Sequence, residues 1–139
     1  MAAPDETAAR LHKAAIRLLR LARREDDATG LSAPRLSALS VVVFAGPLSL
    51  SALAAEEQVR APTMTRIVDA LVAAGLVTRE TDPADRRMVR IAATEEGRAV
   101  LEAGRRRRVA AIADRLASLA ESERRALERG VDLLERLTR

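Results

Sequence analysis

Apolar positions recur along most of this chain at the three- and four-residue steps of an amphipathic helix. Ala8, Leu11, Ala15, Leu18 and Ala22 share one face of a helix over residues 5–25, widened by Ile16 and Leu19. The acids Glu25, Asp26 and Asp27 end it, ahead of Gly30. Ser32 is placed to cap a second helix, with Pro34 tolerated in its first turn. Leu36, Leu39 and Val43 mark that helix, Phe44 near its end most simply fills core, and Gly46-Pro47 stops it. Ser49 or Ser51 can cap a short third helix containing Leu53, Ala54 and Ala55. A brief turn through Gln58 and Val59 leads to a fourth helix, from about residue 61 to residue 74. Pro62 lies in its first turn, Met64, Ile67, Val68 and Leu71 face inward, and Gly75 supplies a left-handed end. Two helices joined by about four residues have the helix-turn-helix spacing.

After Gly75 the period drops to two. Leu76–Glu80 and Met88–Ala92 alternate as strands, and the polar segment 81–87 between them reads as the charged tip of a β-hairpin. Thr94, with Glu95 and Glu96 in the following turn, starts a long helix over about residues 95–119, with Val109, Ile112, Leu116 and Leu119 along it. Ser122 is placed to cap a last helix that carries Leu127, Val131, Leu134 and Leu137 on one face. The fold class is therefore mainly α with a small β-hairpin wing, in one domain over 1–139. A winged helix-turn-helix lobe at 32–93 is flanked by helical blocks at 5–25 and 95–139. Those blocks could form a bundle within the chain. The reading preferred is that their apolar stripes intertwine with a second copy across a two-fold axis.

Composition narrows the chemistry. The 139 residues include no Cys, Trp or Tyr, one Phe (Phe44) and one His (His12). Disulfides, thiolate nucleophiles, Cys-ligated zinc and His clusters are excluded. No nucleophile elbow, phosphate-binding glycine loop or zinc-binding helix motif is present, so neither an enzyme nor a bound cofactor or metal is expected. The acids Asp5 and Glu6 and the lack of a long apolar run argue against a signal peptide or a membrane span, so a cytoplasmic location is expected. Lys13 is the single lysine among 24 basic residues, which face 20 acids for a net charge of +4. That balance fits nucleic-acid binding without requiring it.

The placement of the charges says more. In a helix-turn-helix, the second helix enters the major groove and its N-terminal residues meet base edges. Here that segment offers Arg60, Pro62, Thr63, Thr65 and Arg66, with no acid before Asp69. Arginine can grip guanine with two hydrogen bonds, and threonine brings a hydroxyl and a methyl group. Thr63 could equally be an ordinary first-turn capping residue. At the hairpin tip, Arg86 and Arg87 follow Asp85; an arginine there can enter a narrow minor groove, although a solvated charged turn has the same composition. Arg105–Arg108 occupies four consecutive helical positions, which spread around the axis and cannot form one groove-facing row. One or two of these can touch phosphate or pair with acids such as Glu102. His12 is read as a surface or interface histidine.

Leu53-Ala54, the stretch from Val59 to Leu71, and Gly75–Arg79, in that order and spacing, resemble the DNA-reading region of the MarR family. Asp82–Arg87 followed by Thr94–Gly97 resembles that family's wing and the start of its long dimer helix. The resemblance implies a homodimeric transcription regulator, most often a repressor, bound to double-stranded DNA at a pseudo-palindromic operator. It implies that Asp85 orients Arg87 by an ion pair, leaving Arg86 for a phosphate. It also implies possible release of DNA by a small effector held between lobe and dimer helices; with Phe44 the one aromatic, an aliphatic ligand or none at all fits better than a stacked one. Two other readings stay open: a winged-helix module that binds another protein, and a DNA-coating protein indifferent to sequence.

Overall fold

The computed structural model describes Met1 and residues 3–139. Six α-helices and three short strands follow in the order α1 (Pro4–Arg23), α2 (Ala33–Ala45), β1 (Leu48–Ser49), α3 (Leu50–Glu56), α4 (Ala61–Ala73), β2 (Val77–Thr81), β3 (Val89–Ala93), α5 (Glu95–Leu116) and α6 (Glu121–Leu137). A 3-10 helix, Arg24–Thr29, joins α1 to α2. α1 thus ends just ahead of the acids Glu25–Asp27, as expected; they lie in the 3-10 helix, which Gly30 at φ 71° closes.

The core belongs to the middle of the chain. Leu39, Leu53, Met64, Val68 and Leu71 are wholly buried, and Val42, Val77 and Ile91 nearly so. They come from α2, α3, α4 and the sheet, so the elements of the lobe share one core. Truncating one such side chain to alanine typically costs about 2–5 kcal/mol. The sheet order is β1-β3-β2, antiparallel, with Val77 opposite Ala93 and Thr81 opposite Val89. The two-residue strand β1, which pairs Leu48 with Ile91, is absent from the sequence reading because so short a run has no readable period.

Four local expectations are corrected. Phe44 does not fill core: it is 82% exposed. It follows Val42 by two positions, and on a helix residues two apart face different ways. Ser32 stands at the N-cap of α2 but its hydroxyl makes no cap hydrogen bond. Ser122 is not the cap of α6; the helix begins at Glu121, and the Glu123 carboxylate accepts from the Ala120 backbone N–H at 2.8 Å. The long helix also stops earlier than expected, at Leu116, and Leu119 lies in the following turn.

The outer helices behave differently from the lobe. In α1 only Ala22 is buried; Leu11, Ile16, Leu18 and Leu19 are exposed. No residue of α6 is buried, and Leu127, Val131, Leu133, Leu134 and Leu137 all face solvent. α1 packs against the 3-10 segment and α5, not against α6 as a bundle within the chain would require. No single helix is long and apolar enough to cross a membrane.

Candidate nucleic-acid interface

The helix-turn-helix is built by local chemistry. Ser49 caps α3 by accepting from the Ala52 backbone N–H at 3.1 Å. The turn to α4 closes with Val59 N–H donating to the Ala54 carbonyl at 3.0 Å, and Gln58 takes a positive φ of 55° within it. α4 then lays Met64, Val68 and Leu71 into the core, with Ile67 half-buried beside them. The 3.6-residue period sends the other side outward, so Ala61, Pro62, Thr63 and Arg66 are exposed along it.

Arg60 occupies the N-cap position of α4 without a side-chain cap bond. Among the described residues the Thr63 hydroxyl has no hydrogen-bond partner, so Thr63 is not acting as a capping residue. Thr65 does differ from its neighbours: its hydroxyl donates to the Ala61 carbonyl one turn back, at 3.0 Å. That leaves its methyl and its oxygen lone pairs, not its proton, for any contact outside the protein.

The wing is β2 and β3 with a closed tip. Asp82 N–H donates to the Met88 carbonyl and Met88 N–H to the Asp85 carbonyl, both at 2.9 Å. The two aspartates hold the turn from within: Asp82 Oδ1 accepts from Ala84 N–H at 2.8 Å, and Asp85 Oδ1 accepts from Arg87 N–H at 3.0 Å. The expected ion pair between Asp85 and Arg87 is therefore not formed. Residues 85–87 lie in the turn, where the strand alternation that would align the two side chains does not apply. The Asp85 carboxylate is spent on the Arg87 backbone, and the guanidinium groups of Arg86 and Arg87 are exposed with no carboxylate partner among the described residues.

Two arginines missed by the sequence reading brace this surface. Arg79 on β2 is ion-paired to Asp69 on α4, tying the wing to the helix. Arg90 on β3 donates to the Pro47 carbonyl at 2.9 Å, tying the wing to the segment before α3. Arg79, though exposed, shares a strand face with the buried Val77, two residues earlier, and that alternation was the available signal that it lies on the same side of the sheet. With Asp69 paired, the α4 and wing surface offers four exposed guanidinium groups, Arg60, Arg66, Arg86 and Arg87, that make no ion pair among the described residues, beside the wing acids Glu80, Asp82 and Asp85. The run at 105–108 disperses as expected from its spacing: Arg105 and Arg106 approach Glu102 at 3.6 and 3.9 Å, and Arg108 pairs with Asp26 at 2.6 Å. His12 is exposed on α1.

A sequence model of the MarR family matches residues 31–89, the helix-turn-helix and most of the wing. An uncharacterised HTH-type transcriptional regulator of Mycobacterium bovis, Mb0904, is 38% identical over 124 residues, covering 89% of this chain and 87% of that protein. The transcriptional regulator Tm0710 from Thermotoga maritima superposes with a TM-score of 0.82 at 25% identity, over 96% of this chain and 92% of the other. A point mutant of MepR from S. aureus, solved bound to an oligodeoxyribonucleotide, has the same fold, with a TM-score of 0.75 at 15% identity over 96% and 98% of the two chains.

Proposed function

This chain belongs to the MarR family of transcriptional regulators, and from that premise we propose that it is a homodimeric repressor that reads a pseudo-palindromic operator. Each protomer puts the N-terminal half of α4 into a major groove and the wing tip onto the flanking minor groove. Arg66 grips a base edge or phosphate, Arg60 and Thr63 act beside it, and Arg87 enters the minor groove with Arg86 on the backbone. Pro62 pre-sets the first turn of α4, Thr65 adds its methyl, and Asp85 shapes the tip through the Arg87 backbone.

The observation that carries this reading is the charge pattern. Four exposed arginines without carboxylate partners sit on α4 and the wing, while the one acid on α4 is taken up by Arg79. The wing-tip acids Asp82 and Asp85 accept from backbone N–H groups of the tip and pair with none of these arginines. The unpartnered apolar faces of α1 and α6 support the dimer, since stripes of that size are normally covered. Two-fold symmetry then sets half-sites about 10 bp apart, or a multiple of that. The reading assigns the chain no catalytic step and places it in the cytoplasm with its DNA. It extends to a small effector seated between lobe and dimer helices, which would raise the operator Kd without separating the protomers.

The test is a fluorescence-anisotropy titration on duplex from immediately upstream of the gene, with scrambled duplex as competitor. The expected result is a preference of about 10³-fold or more, with two protomers per site. Equal binding to both duplexes would favour a DNA-coating protein. Binding by neither, with another protein captured independently of Arg66 and Arg87, would favour an interaction module.

A further inference from the structure

One charged surface lies on α1, outside the α4 and wing residues assigned above to the operator. Arg10, Lys13, Arg17 and Arg20 succeed one another at steps of three, four and three, so they line one side of α1 over about 15 Å. All four are exposed, and among the described residues none takes part in an ion pair. Arg24, four positions further on and also exposed, continues the row into the 3-10 segment. The acids of α1, Asp5 and Glu6, stand ahead of the row in the first turn.

An ordinary solvated helix face looks different, and α6 provides the comparison in the same chain. Its polar side mixes signs and pairs them: Glu121 meets Arg124 at 3.6 Å and Arg125 at 2.7 Å, and Glu135 meets Arg139, just past the helix end, at 3.9 Å. On α1 the cations follow one another without an intervening acid, at the spacing where like charges repel. A polyanion laid along the row removes that repulsion. The row lies across the helix from Ala8, Ala15 and Ala22, so a dimer closed through the apolar stripe leaves it facing solvent. α1 packs chiefly on the 3-10 segment and α5.

We propose that this face of α1 is a second, sequence-independent DNA-backbone site, which lets one dimer hold a duplex in addition to the operator. Guanidinium groups match phosphate with paired hydrogen bonds. Duplex DNA carries a charge every ~1.7 Å, so a 15 Å row meets about nine of them. A lipid surface fits less well, because a helix lying on a bilayer buries an apolar face beside its cations, and that face is the one the dimer uses. The proposal rests on the dimer reading for the row's outward aspect and not on operator recognition.

The test uses the full-length dimer bound to immobilised operator fragment, offered a fluorescent scrambled duplex at low salt. Wild type is expected to capture the second duplex. The variant Arg10→Gln/Arg17→Gln/Arg20→Gln should lose at least ten-fold in capture, with the salt slope for scrambled duplex lower by about 3. Its operator Kd should move less than two-fold. Arg66→Ala/Arg87→Ala should do the reverse, losing the operator and keeping scrambled-duplex binding, which separates failure of this proposal from failure of the operator reading. Circular dichroism and sedimentation confirm the folded dimer, with Arg17→Gln/Arg20→Gln as the milder substitute. No second capture by wild type, or equal capture by wild type and variant, overturns the proposal. So does row-dependent binding to phosphatidylserine vesicles without capture of duplex.

Discussion

Arg66 and Arg79 are thirteen positions apart and serve opposite ends of the same task. Arg66 is exposed on α4 with nothing to hold it, and Arg79 is held by Asp69. A free guanidinium can be spent on DNA, whereas a paired one must first give up its carboxylate. Replacing Arg66 by alanine should cost about 1–3 kcal/mol of operator binding and relax preference at one position of each half-site. Anisotropy against a panel of single-base operator variants checks this. The Asp69–Arg79 pair is more than a third exposed on both sides, so Asp69→Asn should change stability by less than about 1 kcal/mol. Because it unties wing from helix, it should still weaken operator binding; a thermal melt beside a titration separates the two effects. The sequence singled out Arg66 as a candidate contact and gave Arg79 no role of its own. Which one is free was not legible, because that depends on an acid ten residues away on another element.

At the level of elements, the joint between the lobe and α5 is built from Thr94 and Gly97. The Thr94 hydroxyl caps α5 by accepting from Gly97 N–H at 3.0 Å and donates to the Gly75 carbonyl at 2.7 Å. One side chain therefore fastens the end of α4 to the start of α5. Thr94→Ala should cost about 1–2 kcal/mol, and Thr94→Ser should recover most of it. Gly97 lies against the chain it follows: a Cβ there would stand 2.2 Å from the Leu76 carbonyl oxygen and 3.2 Å from Leu39 Cδ1. Gly97→Ala should destabilise by about 1–3 kcal/mol, read from denaturant midpoints. Thr94 as cap and Gly75 as left-handed terminator follow from neighbours in sequence, and both were legible. The closeness of Gly97 to Leu76 was not, since a glycine three residues into a helix looks like a weak helix former until the packing is known.

For the whole molecule, the decisive feature is the contrast between a packed lobe and uncovered outer helices. No residue of α6 is fully buried in its own protomer, and Leu116, Leu127 and Val131 line a cleft open to solvent. Leu127→Glu/Leu134→Glu should therefore yield monomers in sedimentation velocity while leaving the lobe's fold intact by circular dichroism. Operator affinity should fall by orders of magnitude, because one lobe alone makes half the contacts. A variant that stays dimeric would mean that another face joins the protomers.

What the sequence determined by itself is what depends on near neighbours: helix stripes, the turn at Gly75, the hairpin, and the order that marks a winged helix. Period, capping and turn chemistry act within a few residues, so one chain read in order carries them. The tertiary structure alone decided matters set by distant partners. It exposed Phe44, gave the Asp85 carboxylate to the Arg87 backbone instead of its side chain, bound Arg79 to Asp69, and recruited Leu48–Ser49 as a third strand. Each is a competition among groups far apart in sequence, and only the folded geometry determines which of them meet.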